Sequence, residues 1–415
     1  MVIVRPFRGL RPVPELAADV AAPPYDVLSS DEARERAKDK PNSFLHVSKP
    51  EIDLDPPVGS HDPMVHRKGS ENLKRMIRAS VLKQDEKPCY YVYRQNMDGH
   101  EQTGLVAVVS AEDYVADRIK KHEHTRLDKE EERAEHINTI GAHTGPVFLM
   151  MRDRQELHAR IAGQTQKPPV YDFVHDYGVR HTFWVVDDET VVKRIRESFT
   201  QVDALYIADG HHRAAAGSRV ARIRKEQNPG HTGEEEYNYF LAVIFPVSEL
   251  KILNYNRLVR DLNGRSEEQF LAKIKDSFEI LSYRSMGKPV QPRELHAFGM
   301  FLGNTWWTLR AKTGTFDPTD PIAVLDVSIL QNNVLGPILG IADPRTDKRI
   351  EFVGGIRGLE ELEKSVKSGA FAVAFSLYPT AIGQLLDVAE AGGVMPPKST
   401  WFEPKLRSGL VVHLF

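Results

Sequence analysis

A single cysteine, Cys89, in 415 residues leaves no partner for an internal disulfide and removes any cysteine-rich zinc site. That scarcity agrees with a reducing compartment, and the cytoplasm is the expected location. No uncharged apolar run approaches the ~20 residues that a membrane-spanning helix needs. Met1 to Leu10 carries Arg5 and Arg8 and lacks the continuous apolar stretch of a secretory leader, so it is expected to belong to the fold. Charge of one sign is also lacking: 55 basic against 58 acidic residues give a net charge of -3. No whole-molecule field then draws in nucleic acid or an anionic membrane, and neither is expected as a partner. Internal repeats and low-complexity tracts are absent as well.

What is present is an ordinary globular balance, 41% hydrophobic and 27% charged, in a chain long enough for two domains. The β and α signals restart near Ser248, which divides the chain into residues 1–248 and 249–415. Pro23-Pro24-Tyr25-Asp26 reads as a stiff extended loop, because each proline fixes its own φ and disfavours helix before it. A helix is expected over Ser29 to Lys38, a short strand over Ser43 to Ser48, and a second helix over Met64 to Leu82. Cys89 to Gln95 and Thr103 to Ser110 read as a hairpin around Asp98-Gly99. Strands are expected at Pro146 to Met151, Thr182 to Val186, Ala204 to Ile207 and Tyr239 to Phe245. Beyond Ser248, strands are expected at Trp306 to Arg310 and Ala370 to Leu377, and helices at Leu325 to Leu335, Leu359 to Ser368 and Ala381 to Glu390. The mixture indicates α/β to α+β architecture with a mixed sheet and a second, smaller α/β domain.

Three segments carry chemistry. Asp209-Gly210-His211-His212-Arg213 follows a strand and opens a helix, where glycine permits close backbone approach and unpaired helix amides face outward. Such a junction suits phosphate. Arg213 and one histidine would add donors, and basic residues at a helix start oppose the macrodipole unless an anion is present. Successive helical residues lie about 100° apart, so His211 and His212 are expected to take different roles, one of them packing or orienting. The alternative is an ordinary turn with Asp209 as the cap.

The second segment, Lys120-Lys121-His122-Glu123-His124-Thr125, sets a carboxylate among donors. Glu123 is a candidate general base for transfer to a hydroxyl, set against a solvated charge run. The third, Pro396-Pro397-Lys398-Ser399-Thr400-Trp401, sets a lysine and two hydroxyls behind a rigid step; the alternative is a loop that docks Trp401 and Phe402. A permanent zinc site among His122, Glu123, His124, Asp209 and the 211/212 pair is less favoured than Mg²⁺ arriving with phosphates, for which Asp209 or Glu123 would be a ligand. Asp26 is a weaker ligand candidate, with an Asx-turn as its expected role.

The string Asp209 to Arg213 resembles the nucleotide-binding turn of the free serine kinases of the ParB/sulfiredoxin-like superfamily. Lys121-His122-Glu123 is similar to their Lys-Pro-His-Glu element, and Pro397 to Thr400 to their Pro-Lys-Thr-Thr element, in the same order. Lys121 stands at a kinase proline and Phe402 at a kinase histidine. Over nearly its full length, including Arg5 to Gly9 and Pro23 to Asp26, the chain also resembles a widespread bacterial family of unknown function. The kinase resemblance implies a ParB-like core and a C-terminal domain whose tail (396–402) returns to the active site. It implies transfer of a phosphoryl group from ADP, ATP or pyrophosphate, with Mg²⁺, to free L-serine or a similar hydroxy metabolite. Glu123, Asp209 and His211 would then be catalytic. Gly210, His211, His212 and Arg213 would bind phosphate, and Lys398, Ser399 and Thr400 the acceptor, with Asp209 as the metal ligand. A nucleotide-binding regulator of the ParB-like superfamily, without catalysis, is the alternative.

Overall fold

Asp98 and Gly99 both have positive φ, 52° and 80°. That conformation lets two residues close a hairpin with the twist of its strands, and it favours Asp-Gly. The computed structural model describes residues 1–284 and 288–415, and they divide into two units, residues 1–250 with 404–415, and residues 251–403.

The first unit is built on a nine-stranded mixed sheet. Its strands are β1 (Val4–Arg5), β2 (Tyr90–Met97), β3 (His100–Ser110), β4 (Ile119–Lys120), β5 (Val147–Met151), β6 (Tyr171–Val174), β7 (Arg180–Val186), β8 (Leu205–Asp209) and β9 (Tyr239–Pro246). Spatially they run β4-β8-β5-β9-β3-β2-β7-β6, with β1 paired to β3. Most neighbours are antiparallel, but β4 runs parallel to β8 and β5 parallel to β9. The buried apolar runs of β5 and β9 are continuous rather than alternating, as central strands covered on both faces require.

Six longer helices accompany this sheet: α1 (Ser30–Ala37), α2 (Pro63–Arg78), α3 (Leu127–Ile140), α4 (Gln155–Gln164), α5 (Glu189–Ser198) and α6 (His211–Gln227). Ser29 and Glu32 form a reciprocal capping box at α1. The strand expected over Ser43 to Ser48 is instead a loop leading into a helical turn, Leu45–Ser48, which buries Leu45 and Val47. Three apolar positions in six residues satisfy either period, and packing beneath α2 selects the helix. The second expected helix ends at Arg78, and Leu82 opens a strand pair with Leu10–Pro12.

The second unit holds a six-stranded, wholly antiparallel sheet. Its strands are β10 (Tyr255–Val259), β11 (Phe278–Arg284), β12 (Ala297–Leu302), β13 (Thr305–Ala311), β14 (Ile350–Gly354) and β15 (Val373–Leu377), in the order β11-β13-β12-β15-β10-β14. Helices α7 (Glu267–Ser277), α8 (Glu360–Lys367) and α9 (Ile382–Glu390) belong to it. The expected helix from Leu325 to Leu335 is present, as an α-turn run continued by a π-helical turn. Among the described residues, no helix is long and apolar enough to cross a membrane.

Candidate functional site

Parallel pairing of β4 with β8 aligns Ile119 with Leu205 and Lys120 with Tyr206. Two parallel strands deliver their following residues to the same sheet end, so the chain leaving β4 carries His122 and Glu123 alongside Asp209 and Gly210. The antiparallel neighbour β5 begins at that end, with Phe148 opposite Asp209 and Pro146 just before it. Three chain segments distant in sequence thus meet at one point.

Gly210 turns the corner with φ 92° and ψ 34°, and a Cβ there would lie 2.8 Å from Arg213 Nε. Only glycine fits both the left-handed backbone and the folded-back guanidinium. Helix α6 then starts without a side-chain cap. Its small residues Ala214, Ala216 and Gly217 are buried, and a Cβ on Gly217 would meet Phe240 at 2.9 Å, so the helix approaches β9 closely.

Asp209 is held between two cations: Oδ2 accepts from Arg213 Nη2 at 2.7 Å and Oδ1 from Lys405 Nζ at 3.3 Å. Burial opposes its ionisation, but Lys405 and Arg213 outweigh that and hold the carboxyl well below its usual range. Arg213 is only 6% exposed; it also donates to the Pro146 carbonyl and lies 3.8 Å from the Asp26 carboxylate. Its guanidinium therefore faces inward and orients Asp209. The stiff Pro23-Pro24 segment aims Asp26 at Arg213, where an Asx-turn was the expectation. Next to it, Tyr25 lies beneath Arg133, whose guanidinium carbon is 3.6 Å from the ring centroid.

The two histidines divide their work. His211 is buried, with Nδ1 3.9 Å from Glu123 Oε2 and its ring edge-on to His122 at 4.5 Å. Burial, then the neighbouring His122, lowers its basicity far below the ordinary value, so it is neutral at pH 7. Burial likewise pushes His122 down to about 4. His212 accepts the Arg126 backbone N–H on Nε2 at 3.1 Å and so ties α6 to the start of α3, next to the Glu123 loop. Glu123 is 46% exposed. Among the described residues, no cluster of three or more His, Cys, Asp or Glu side chains is arranged to hold a metal ion.

The structure brings together Glu123, Asp209, Gly210, His211, His212 and Arg213. Lys398, Ser399 and Thr400 lie in the second unit, where Arg257 Nη2 donates to the Lys398 carbonyl at 3.0 Å and Ser399 Oγ to that of Pro396 at 2.5 Å. Lys405 escaped the sequence reading. Its only sequence signal is a cationic side chain between Pro404 and a C-terminal apolar run, and it reaches Asp209 across 196 positions.

The sequence matches the family described as a protein of unknown function, DUF1015, over residues 4–328. No curated protein matches it. Among solved structures, a free serine kinase in complex with AMP is 14% identical and aligns over 74% of this chain and 91% of that chain, at a TM-score of 0.34. A mutant free serine kinase in complex with ADP is 13% identical over the same shares, also at 0.34. A conserved hypothetical protein from Pyrococcus furiosus is 14% identical over 75% of this chain and 97% of that one, again at 0.34.

Proposed function

This chain belongs to the DUF1015 family, and we propose that it is a phosphotransferase of ParB/sulfiredoxin-like type that moves a phosphoryl group from a nucleotide or pyrophosphate to free L-serine or a similar small hydroxy metabolite. The observation that carries the reading is the junction of an uncapped helix start at Gly210 with a half-exposed carboxylate, Glu123, 3.9 Å from His211. The first-turn amides of α6 receive the donor phosphates. Glu123 accepts the hydroxyl proton as the new oxygen–phosphorus bond forms and the bridging bond to the leaving phosphate breaks. Serine then becomes O-phosphoserine, and ADP, ATP or pyrophosphate becomes AMP, ADP or phosphate.

Neutral His211 offers one N–H to a phosphoryl oxygen without adding a charge. His212 keeps the Glu123 loop in register, while Arg213 and Lys405 hold Asp209 ionised. One ionised carboxylate suits Mg²⁺ that is bound mainly through donor phosphates, and the ion would supply neutralisation of phosphate charge beside Asp209. Lys398, Ser399 and Thr400 are assigned to the acceptor by their motif alone.

The test is incubation with Mg²⁺, serine and each donor in turn, followed by mass spectrometry for phosphoserine. Glu123→Gln should keep donor affinity and lower turnover by about 10²–10⁴-fold, the usual contribution of a general base. Donor binding without product would favour the regulator; unchanged turnover in the glutamine variant removes Glu123 from the mechanism.

A further inference from the structure

A cavity of about 280 Å³ opens in the first unit, away from the phosphate turn. Its walls include Arg94, Glu101, His158 and Glu249, and its apolar lining Met151 and Ile161. Strand alternation separates it from the site already described. Arg94 on β2 pairs with Thr103 on β3, and their neighbours Gln95 and Gln102 point to the opposite face, where they donate to the carbonyls of Lys405 and Pro404. Arg94 and Thr103 instead face α4, which supplies His158 and Ile161. Met151 is the last residue of β5 and Pro146 precedes its first. At about 3.3 Å per residue, the cavity therefore lies roughly 16 Å along the strand from the Arg213 anchor.

Charges of both signs alternate around this cavity. Glu249 accepts the Thr103 backbone N–H at 2.5 Å and lies 3.0 Å from His158 Nε2, and burial raises its carboxyl above the usual range. Arg94 lies over the Trp184 indole at 5.5 Å, donates to Thr103 Oγ1 and Thr165 Oγ1, and approaches Glu101 at 3.3 Å. A simple anion or cation would meet a like charge on one side. A ligand with both charges a few ångströms apart and an apolar remainder meets complementary groups throughout.

We propose that this cavity is a binding site for a free α-amino acid with an apolar side chain. The carboxylate is received by Arg94 and His158, the ammonium by Glu101 and Glu249, and the side chain by Met151 and Ile161. This site stands apart from the phosphotransfer reading and needs no phosphoryl donor.

Calorimetric titration of the full chain with L-methionine, without nucleotide, should give saturable 1:1 binding. N-acetyl-L-methionine and L-methioninamide, each lacking one charge, should bind about tenfold more weakly, the loss of one charge-assisted hydrogen bond. Glu101→Gln, on an exposed side chain, should weaken L-methionine binding to a similar degree with an unchanged circular dichroism spectrum. Ile161→Trp should fill the cavity and remove binding. Glu123→Gln, on a half-exposed side chain beside the phosphate turn, should leave it intact, which separates this site from the phosphate turn. Absence of saturable binding, equal binding of the capped derivatives, or full binding by Ile161→Trp would overturn the proposal.

Discussion

Two buried arginines, one in each unit, differ in what neutralises them. Arg213 lies among carboxylates, with Asp209 at 2.7 Å and Asp26 at 3.8 Å. Burial tends to weaken its charged form, but Asp26 and Asp209 outweigh it and the guanidinium is raised above its ordinary value. Arg257 is 3% exposed and meets only dipoles and rings. It donates to the carbonyls of Tyr255 at 2.5 Å and Lys398 at 3.0 Å and lies 4.8 Å from the Phe352 ring centroid. Among the described residues no carboxylate stands within ion-pair distance of it, and burial lowers it to about 10. One arginine therefore orients a carboxylate, and the other fastens a backbone turn at the cost of an uncancelled charge.

Arg213→Met tests the first half of that contrast and should have the largest effect on stability. It strips a buried, hydrogen-bonded partner from Asp209 and leaves the Pro146 carbonyl without its donor, for a loss of about 3–5 kcal/mol. Urea unfolding, with hydrogen exchange followed in peptides of each unit, should locate the loss in residues 1–250. A loss below about 1 kcal/mol, the range of an exposed pair, would mean that the cluster is solvated and the contrast false.

Acid should act next most strongly, and on the first unit. His122 has a folded pKa of about 4, against 6.5 unfolded. The unfolded chain therefore binds its proton first as pH falls. The stabilisation that neutral His122 supplies is complete above pH 6.5 and is lost progressively down to about pH 4. At 1.36 kcal/mol per unit this one group accounts for up to about 3 kcal/mol. His122→Asn should flatten the fall of the urea midpoint between those pH values by one proton's share. An unchanged slope would show that His122 is protonated in the fold and that a further positive charge sits beside His211.

These charge arrangements also mark the limit of sequence reading. Asp98-Gly99 and the run from Ala204 to Glu226 were legible, because turn chemistry and helical period are local properties written in consecutive residues. The junction of Glu123 with His211 was accessible only through the motif. The strand that creates it, Ile119–Lys120, is two residues long and has no periodicity to detect. Asp26 was read for its own backbone because nothing nearby announces an arginine 187 positions away, and Lys405 was silent for the same reason. Local patterns gave the helix end. Its compensating charges came from tertiary structure.

Arg257→Met sharpens the other half of the comparison and should have the smallest effect. Methionine keeps much of the apolar stem volume and removes a charge that burial disfavours, which is a gain. Against it, the carbonyls of Tyr255 and Lys398 lose their donor, at about 1–3 kcal/mol for a buried acceptor left unsatisfied. The two terms oppose each other, so the net loss should stay near 1–2 kcal/mol, under half that of Arg213→Met. Exchange should quicken in the Pro396 to Thr400 turn before it does elsewhere in residues 251–403, because that turn depends on the guanidinium most directly. A loss equal to that of Arg213→Met would mean that carbonyl dipoles anchor a buried cation as firmly as carboxylates do. Neutralisation by ion pairing would then no longer distinguish the phosphate turn from the second unit.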